Sequence, residues 1–157
     1  MRYSIGLLAA VLAALAGVQI ACAQEEAPPP VRVAVNGVIG PPQVLSQELR
    51  RELAALIDRQ QNVVVAGKGK ATGLFLKWYV LAQTEKDGTK VSYVLDVENR
   101  TGRRLNRFEG DETADGPFEN PWAVFTPSLT QSLAAKAAAS FTAWLPRLAL
   151  NSDGPPR

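Results

Sequence analysis

The sequence contains no histidine and a single cysteine, Cys22, among its 157 residues. Histidine is the commonest general base, the commonest neutral metal ligand and the usual partner of a nucleophilic serine. With one cysteine, the chain cannot form an internal disulfide. We therefore expect a non-enzymatic protein with no catalytic residue, no cofactor and no metal ion.

The chain also lacks a strong excess of charge of either sign. Its 17 basic and 15 acidic residues give a formal net charge of +2 and are interspersed along the sequence. Nucleic-acid-binding proteins concentrate basic residues on one face or in one segment, so we predict no nucleic-acid partner. The length suits one domain, which at this size needs no disulfide or metal to be stable.

The longest hydrophobic run lies at the N-terminus. Arg2 precedes an apolar stretch from Ile5 to Ala16, and mainly small residues follow up to Ala23. The stretch is about a dozen residues long, whereas a helix that crosses a bilayer needs ~20. We predict that residues 1–23 are an export signal, that the chain has no transmembrane helix, and that the mature protein is periplasmic.

Two kinds of processing fit the end of this signal. Cleavage after Ala23 follows the small-x-small rule and would release a protein that starts at Gln24. Alternatively, the run Ile20-Ala21-Cys22 suits a bacterial lipobox, in which a lipidated Cys22 anchors the protein to the outer membrane. Gln19 departs from the aliphatic residue that is usual before such a run. Both outcomes stay open, and contact with a membrane is expected only through Cys22.

The rest of the sequence divides into a proline-rich spacer (24–30), a single domain (31–146) and a flexible tail (147–157). Alternating apolar residues predict strands, and apolar residues three and four apart predict helices. Strands are predicted at 31–36, 62–66, 74–83, 91–98 and 103–112, and helices at 44–59 and from Asn120 or Thr126 to Leu145, where Pro146 ends the pattern.

This order of elements predicts an α+β fold, a two-layer sandwich. A strand, a helix and a strand are followed by a three-strand meander and a C-terminal helix, and both amphipathic helices are expected on one face of the sheet. The strand at 74–83 is apolar on both sides, which predicts a central position covered on both faces. The more polar strand at 103–112 is expected at an edge.

Two polar segments are candidate sites. Lys68 and Lys70 alternate with glycines after a strand, but the spacing is not that of a phosphate-binding loop, so we predict a flexible basic hairpin that could contact an acidic partner. The acidic residues Glu109, Asp111, Glu112 and Asp115 lack the order of a calcium loop and predict a solvated edge. Paired carboxylates leave a glycan hydrolase open as an alternative.

The serines and aromatic residues complete the candidates. No serine has a Gly-x-Ser-x-Gly setting, although a Ser–Lys pair stays open. Trp78 and Trp144 fall on packing faces and are predicted to be core. Trp122, together with Phe118, lies in a loop before the last helix, where it either closes the end of the sandwich or contacts a partner. Large rings usually pack, which favours the first interpretation.

Several segments together resemble a group of small exported lipoproteins from alphaproteobacteria that has no assigned activity. They are residues 35–56, the strands from Leu74 with Asp96 and Gly102 at a strand and a turn, and the stretch from Gly116 to Trp122 before an alanine-rich helix. The element order is also similar to the N-terminal domain of TolB and to the lipoproteins that activate peptidoglycan synthases. This resemblance implies an adaptor or assembly role.

The sequence therefore predicts an exported binding module that docks on an envelope protein or a peptidoglycan-associated partner. Its candidate partner contacts are Trp122, Phe118, Lys68 and Lys70. Besides the hydrolase, a carrier of a small ligand or lipid stays open, and it would need a cavity between the sheet and the helices.

Overall fold

The computed structural model describes residues 29–66, 72–116 and 118–152 and confirms the predicted α+β sandwich. Cys22, Ala23, Lys68 and Lys70 lie outside these ranges. The elements are β1 (Val31–Ile39), α1 (Gln43–Asp58), β2 (Val63–Val65), β3 (Leu74–Glu85), β4 (Gly88–Asn99), β5 (Arg104–Asp115), a 3-10 helix (Pro121–Val124) and α2 (Pro127–Ser152).

The five strands form one mixed sheet in the order β2-β1-β3-β4-β5. β1 runs parallel to both β2 and β3, whereas β3, β4 and β5 form an antiparallel meander. The central position of β3 and the edge position of β5 are both as predicted. The hairpin between β3 and β4 pairs Glu85 with Gly88, so Lys86 and Asp87 alone connect these strands.

β1 continues beyond Gly37, where the sequence pattern predicted its end. Its pairing with β3 changes from Val35 opposite Leu76 to Gly37 opposite Lys77, so Asn36 is an extra residue in β1. A bulge of this kind shifts the alternation by one position. As a result Ile39 lies beside Tyr79 rather than beside a core residue.

Both helices pack on one face of the sheet, which we call the covered face. The side chains buried there come from α1, from α2 and from every second residue of the strands. The fully buried large side chains include Leu49, Leu53, Ile57, Leu76, Trp78, Leu95, Leu133 and Phe141. Trp78 is core as predicted, and its ring meets Tyr93 edge-on at 6.0 Å. Trp144 is half-buried and packs against Phe108 and Phe141.

Both predicted helix starts are used, but by two different helices. Asn120 Oδ1 accepts a hydrogen bond from the Trp122 amide at 3.1 Å and caps the 3-10 helix. Thr126 Oγ1 accepts one from the Leu129 amide at 3.2 Å at the start of α2. Each cap is followed by proline at the first helical position, where no amide hydrogen is needed.

Pro146 does not end α2, contrary to the prediction. The helix continues to Ser152 with Pro146 inside it. Proline removes one helical hydrogen bond and usually breaks a helix. Here Leu148, beyond the proline, packs against the core, so tertiary contacts favour continuation of the helix. None of the described helices has both the length and the apolar composition needed to cross a membrane.

The second face of β3 is uncovered, which corrects the prediction of cover on both faces. Tyr79 is 37% exposed and Leu81 is 52% exposed. Val80, which lies between them in the sequence, and Trp78, which precedes them, are buried. The alternation of the strand places the first two side chains on the face opposite the helices. We call this face the open face.

Candidate functional site

The acidic residues of β5 do not form one cluster, because strand alternation divides them. The register places Glu109 opposite Val94 and Asp111 opposite Ser92 on the open face, while Glu112 lies opposite Val91 on the covered face. Among the described residues, no group of three or more potential ligands is placed to hold a metal ion. The solvated edge that we predicted applies to Glu109 and Asp111 but not to Glu112.

Glu112 joins β5 to α2. Its Oε1 accepts a hydrogen bond from Ser132 Oγ at 2.5 Å and forms an ion pair with Lys136 Nζ at 2.7 Å. The hydrogen bond to Glu112 raises the pKa of Lys136 above its ordinary value. This serine and lysine are therefore close to each other, but the lysine is held as a cation, which is the wrong form for a general base.

The open face carries an ionic cluster that sequence reasoning missed. Arg107 donates two hydrogen bonds to Asp96, at 2.7 and 2.8 Å, and Arg104 lies 3.9 Å from the same carboxylate. Beside it, Lys77 pairs with Glu98 at 2.8 Å. The hydrogen bonds from Arg107 hold the pKa of Asp96 below its usual value, although burial opposes the shift. The opposite charges of the cluster lie on three neighbouring strands, β3, β4 and β5. Only the strand register shows that they are close to one another.

Next to this cluster the open face is apolar. Ile39 and Leu81 are about half exposed, at 50% and 52%, and Tyr79 at 37% lies between β1 and the half-buried Val94 of β4. We call these four residues the open-face patch. They line a shallow groove of about 340 Å³. Because these exposed apolar side chains are contiguous, the patch is a candidate binding site or interface.

The end of the sandwich carries a second groove, which contains Trp122. Its ring stacks on Phe125 with centroids 5.8 Å apart, and both rings are half-buried against the core. Pro42, Val44, Leu45 and Glu48 from the start of α1 line the other side, and the groove has a volume of about 330 Å³. Val44 is 79% exposed. Trp122 thus packs against the domain and also leaves surface open, and we call this site the Trp122 groove.

Phe118, the other aromatic candidate, lies on the segment that leads to this groove. Its side chain is half-buried against the core, and its carbonyl accepts a hydrogen bond from Thr84 Oγ1 at 2.6 Å. This bond ties the segment to the end of β3. Phe118 therefore positions the loop that carries Trp122 but does not itself line the Trp122 groove.

The comparisons with known proteins identify similar folds only. A scan of protein-family models finds no match, and neither does a search of curated proteins. Among solved structures, an uncharacterized protein aligns with a TM-score of 0.51 and 15% identity over 75% of this chain and 94% of its own. At that identity the similarity shows the fold alone.

Two named proteins align more weakly. The PelC dodecamer from Paraburkholderia phytofirmans gives a TM-score of 0.46 and 14% identity over 68% of this chain and 83% of its own. TolB from Acinetobacter baumannii gives 0.32 and 13% over 68% of this chain and 28% of its own. These scores are too low to carry an argument about function, and membership of the lipoprotein group stays a prediction.

Proposed function

We propose that this protein is a non-enzymatic binding module of the bacterial cell envelope that docks on a partner protein through the open-face patch. The export signal predicted in residues 1–23 supports the location. The exposed apolar side chains of the open-face patch support the docking, and they are the observation on which the proposal depends.

Covering the open-face patch supplies part of the free energy that binding a partner requires. Fully burying an exposed Leu or Ile side chain contributes roughly 1.5–3 kcal/mol. The four residues of the patch are already partly buried, so covering the rest supplies several kcal/mol of gross stabilisation. Association costs an estimated 4–15 kcal/mol in lost freedom. The patch alone thus supports only modest affinity, and neighbouring polar contacts would be needed for a stable complex.

The polar residues next to the open-face patch indicate the chemistry of the partner. Glu109 and Asp111 lie beside Val94 and Ser92 at the margin of the open-face patch. Asp111 is 3.6 Å from Lys90. Glu109 forms no ion pair within 4 Å among the described residues, although it attracts the nearby Arg107. A partner surface with apolar side chains next to a lysine or arginine would match this arrangement.

The test replaces Leu81 by aspartate. Val64→Asp is the matched control, because Val64 is 44% exposed and pairs with Arg32 at the far edge of the same face. Both variants should fold like the parent by circular dichroism. After cross-linking in the periplasm, we expect the parent and Val64→Asp to retain one envelope protein and Leu81→Asp to lose it at least tenfold.

Retention of the same protein by Leu81→Asp would contradict the proposal. The hydrolase alternative is tested separately by Glu109→Gln and Asp111→Asn. Loss of a glycan-cleaving activity in either folded variant would favour that alternative, since a module should have no such activity to lose.

A further inference from the structure

The Trp122 groove has the features of a site for proline-rich peptide. Two stacked rings, Trp122 and Phe125, form one wall, and the exposed Val44 and Pro42 form the other. Proline-rich segments adopt the polyproline II helix without internal hydrogen bonds, and they dock on aromatic-lined grooves at little cost in entropy. The groove is therefore suited to a segment of this kind.

The chain contains such a segment. Residues 24–30 read Gln-Glu-Glu-Ala-Pro-Pro-Pro, so three consecutive prolines follow two acidic residues. In polyproline II each residue advances the chain by about 3.1 Å. Glu25 and Pro28 would then be about 9 Å apart.

α1 presents an arginine at a matching distance from the Trp122 groove, with a second arginine next to it in the sequence. Arg51 follows Val44 by seven positions on the same side of the helix, which corresponds to about 10 Å along the axis. Arg50 and Arg51 line an open polar surface with Gln47, and neither has an ion pair among the described residues. With the prolines in the groove, the acidic pair of the spacer would reach these arginines.

The spacer cannot occupy the groove of its own domain. It precedes Val31 at the start of β1, whereas the groove begins at Pro42, after the other end of that nine-residue strand. The strand is about 30 Å long, whereas a chain of three residues reaches no more than about 11 Å from Val31. A second copy of the chain has no such restriction.

We infer that the Trp122 groove binds the proline-rich spacer of a second copy, with Glu25 and Glu26 of that copy on Arg50 and Arg51. The two contact surfaces are different, so the association is heterologous and builds a ring or an open chain of copies. Glu48, the acidic residue of the groove, then faces the uncharged part of the spacer. This inference does not depend on the open-face patch.

The first experiment measures self-association of the exported protein, purified from the periplasm, by sedimentation velocity over a range of concentrations. We expect concentration-dependent assembly. Trp122→Ala and the triple change of Pro28, Pro29 and Pro30 to Ser should each raise the concentration needed at least tenfold. Pro155→Ser with Pro156→Ser, in the C-terminal tail, is the matched control and should have no effect.

Two further variants serve as controls for this experiment. Val44→Ser alters only a largely exposed side chain of the groove and should weaken assembly even if Trp122→Ala disturbs the fold. Leu81→Asp should leave assembly unchanged, so a failure of the proposed function is separable from a failure of this inference. Assembly that depends on Leu81 and not on Trp122 would overturn the inference, as would a monomer at all concentrations.

The second experiment exchanges the charges. Arg50→Glu with Arg51→Glu should weaken assembly about fivefold, as expected for exposed ion pairs. Adding Glu25→Arg and Glu26→Arg in the same chain should restore it. A peptide of residues 24–31 should compete with assembly and change the fluorescence of the parent but not of the Trp122→Ala variant. Failure of the restoration, or no effect of the peptide, would overturn the inference.

Discussion

The two faces of β3 differ in what their apolar side chains do. On the covered face Leu76, Trp78 and Val80 are buried by the helices, and on the open face Tyr79 and Leu81 remain accessible. The residues alternate along one strand and are similarly apolar. Hydrophobicity alone therefore does not determine a residue's role, because burial requires a second layer and only one face has it.

Charged residues differ between the faces in the same way. On the covered face, Glu112 is paired by residues of α2, so its contacts join the sheet to a helix. On the open face, Asp96 is paired by Arg107 of the adjacent strand and is nearly buried without any helix above it. The open face thus stabilises itself through contacts between strands, next to an apolar area that has no partner within the described residues.

The largest expected effect separates neighbouring residues on β3. Trp78→Ala should lower the free energy of unfolding by roughly 3–5 kcal/mol, because a fully buried ring is lost and a cavity remains. Tyr79→Ala, one residue on, should lower it by no more than about 1 kcal/mol. Urea unfolding measures both values. Equal losses in the two variants would show that the open face is part of the folding core.

A smaller effect is expected from glycines on opposite faces. A Cβ at Gly110 would lie 2.6 Å from the ring of Tyr93, which is itself buried, so Gly110→Ala should destabilise the fold by about 2 kcal/mol. At Gly37, beside Lys77, nothing lies within 4 Å of such a Cβ. Gly37→Ala should change stability by less than about 0.5 kcal/mol. A similar loss in both variants, measured by thermal unfolding, would contradict the contrast.

The smallest effect concerns the ionic cluster and depends on pH. The pKa of Asp96 is lowered in the folded state, so its contribution is present above the unfolded carboxyl pKa of about 4 and is lost as the pH falls through the lower folded pKa. Asp96→Asn should be less stable than the parent by about 1.5 kcal/mol at pH 7.

The difference between parent and Asp96→Asn should shrink on acidification below pH ~4. Chemical unfolding at several pH values measures it. Asp87→Asn, in the exposed turn between β3 and β4, is the control and should match the parent throughout. A gap between Asp96→Asn and the parent that stays constant down to pH ~2 would contradict the assignment.

Local patterns in the sequence were sufficient for the elements and their order. The apolar spacing of α1, the alternation in β4 and the polar character of β5 all predicted the observed structure. The same patterns were insufficient at Gly37, where a bulge continues β1, and at Pro146, where packing of Leu148 outweighs the helix-breaking effect. At both positions, contacts with residues distant in sequence determine the local structure.

The candidate sites show the same division. Trp122 was identified from its place in a loop before a helix, but its stacking on Phe125 and its groove with Val44 required the folded arrangement. The open-face patch was missed because an apolar residue such as Leu81 is indistinguishable in sequence from a buried one. The ionic cluster around Asp96 was missed because its members are joined only through strand register.

The sequence by itself determined the types of side-chain chemistry available and the order of strands and helices. It also predicts the export signal. These properties depend on composition and on contacts between near neighbours. The tertiary structure alone decided that one face of the sheet stays open, that Asp96 is paired by Arg107 of the neighbouring strand, and that a groove forms beside Trp122. Each of these depends on which distant segments lie next to each other, because register and layer packing are properties of the whole fold.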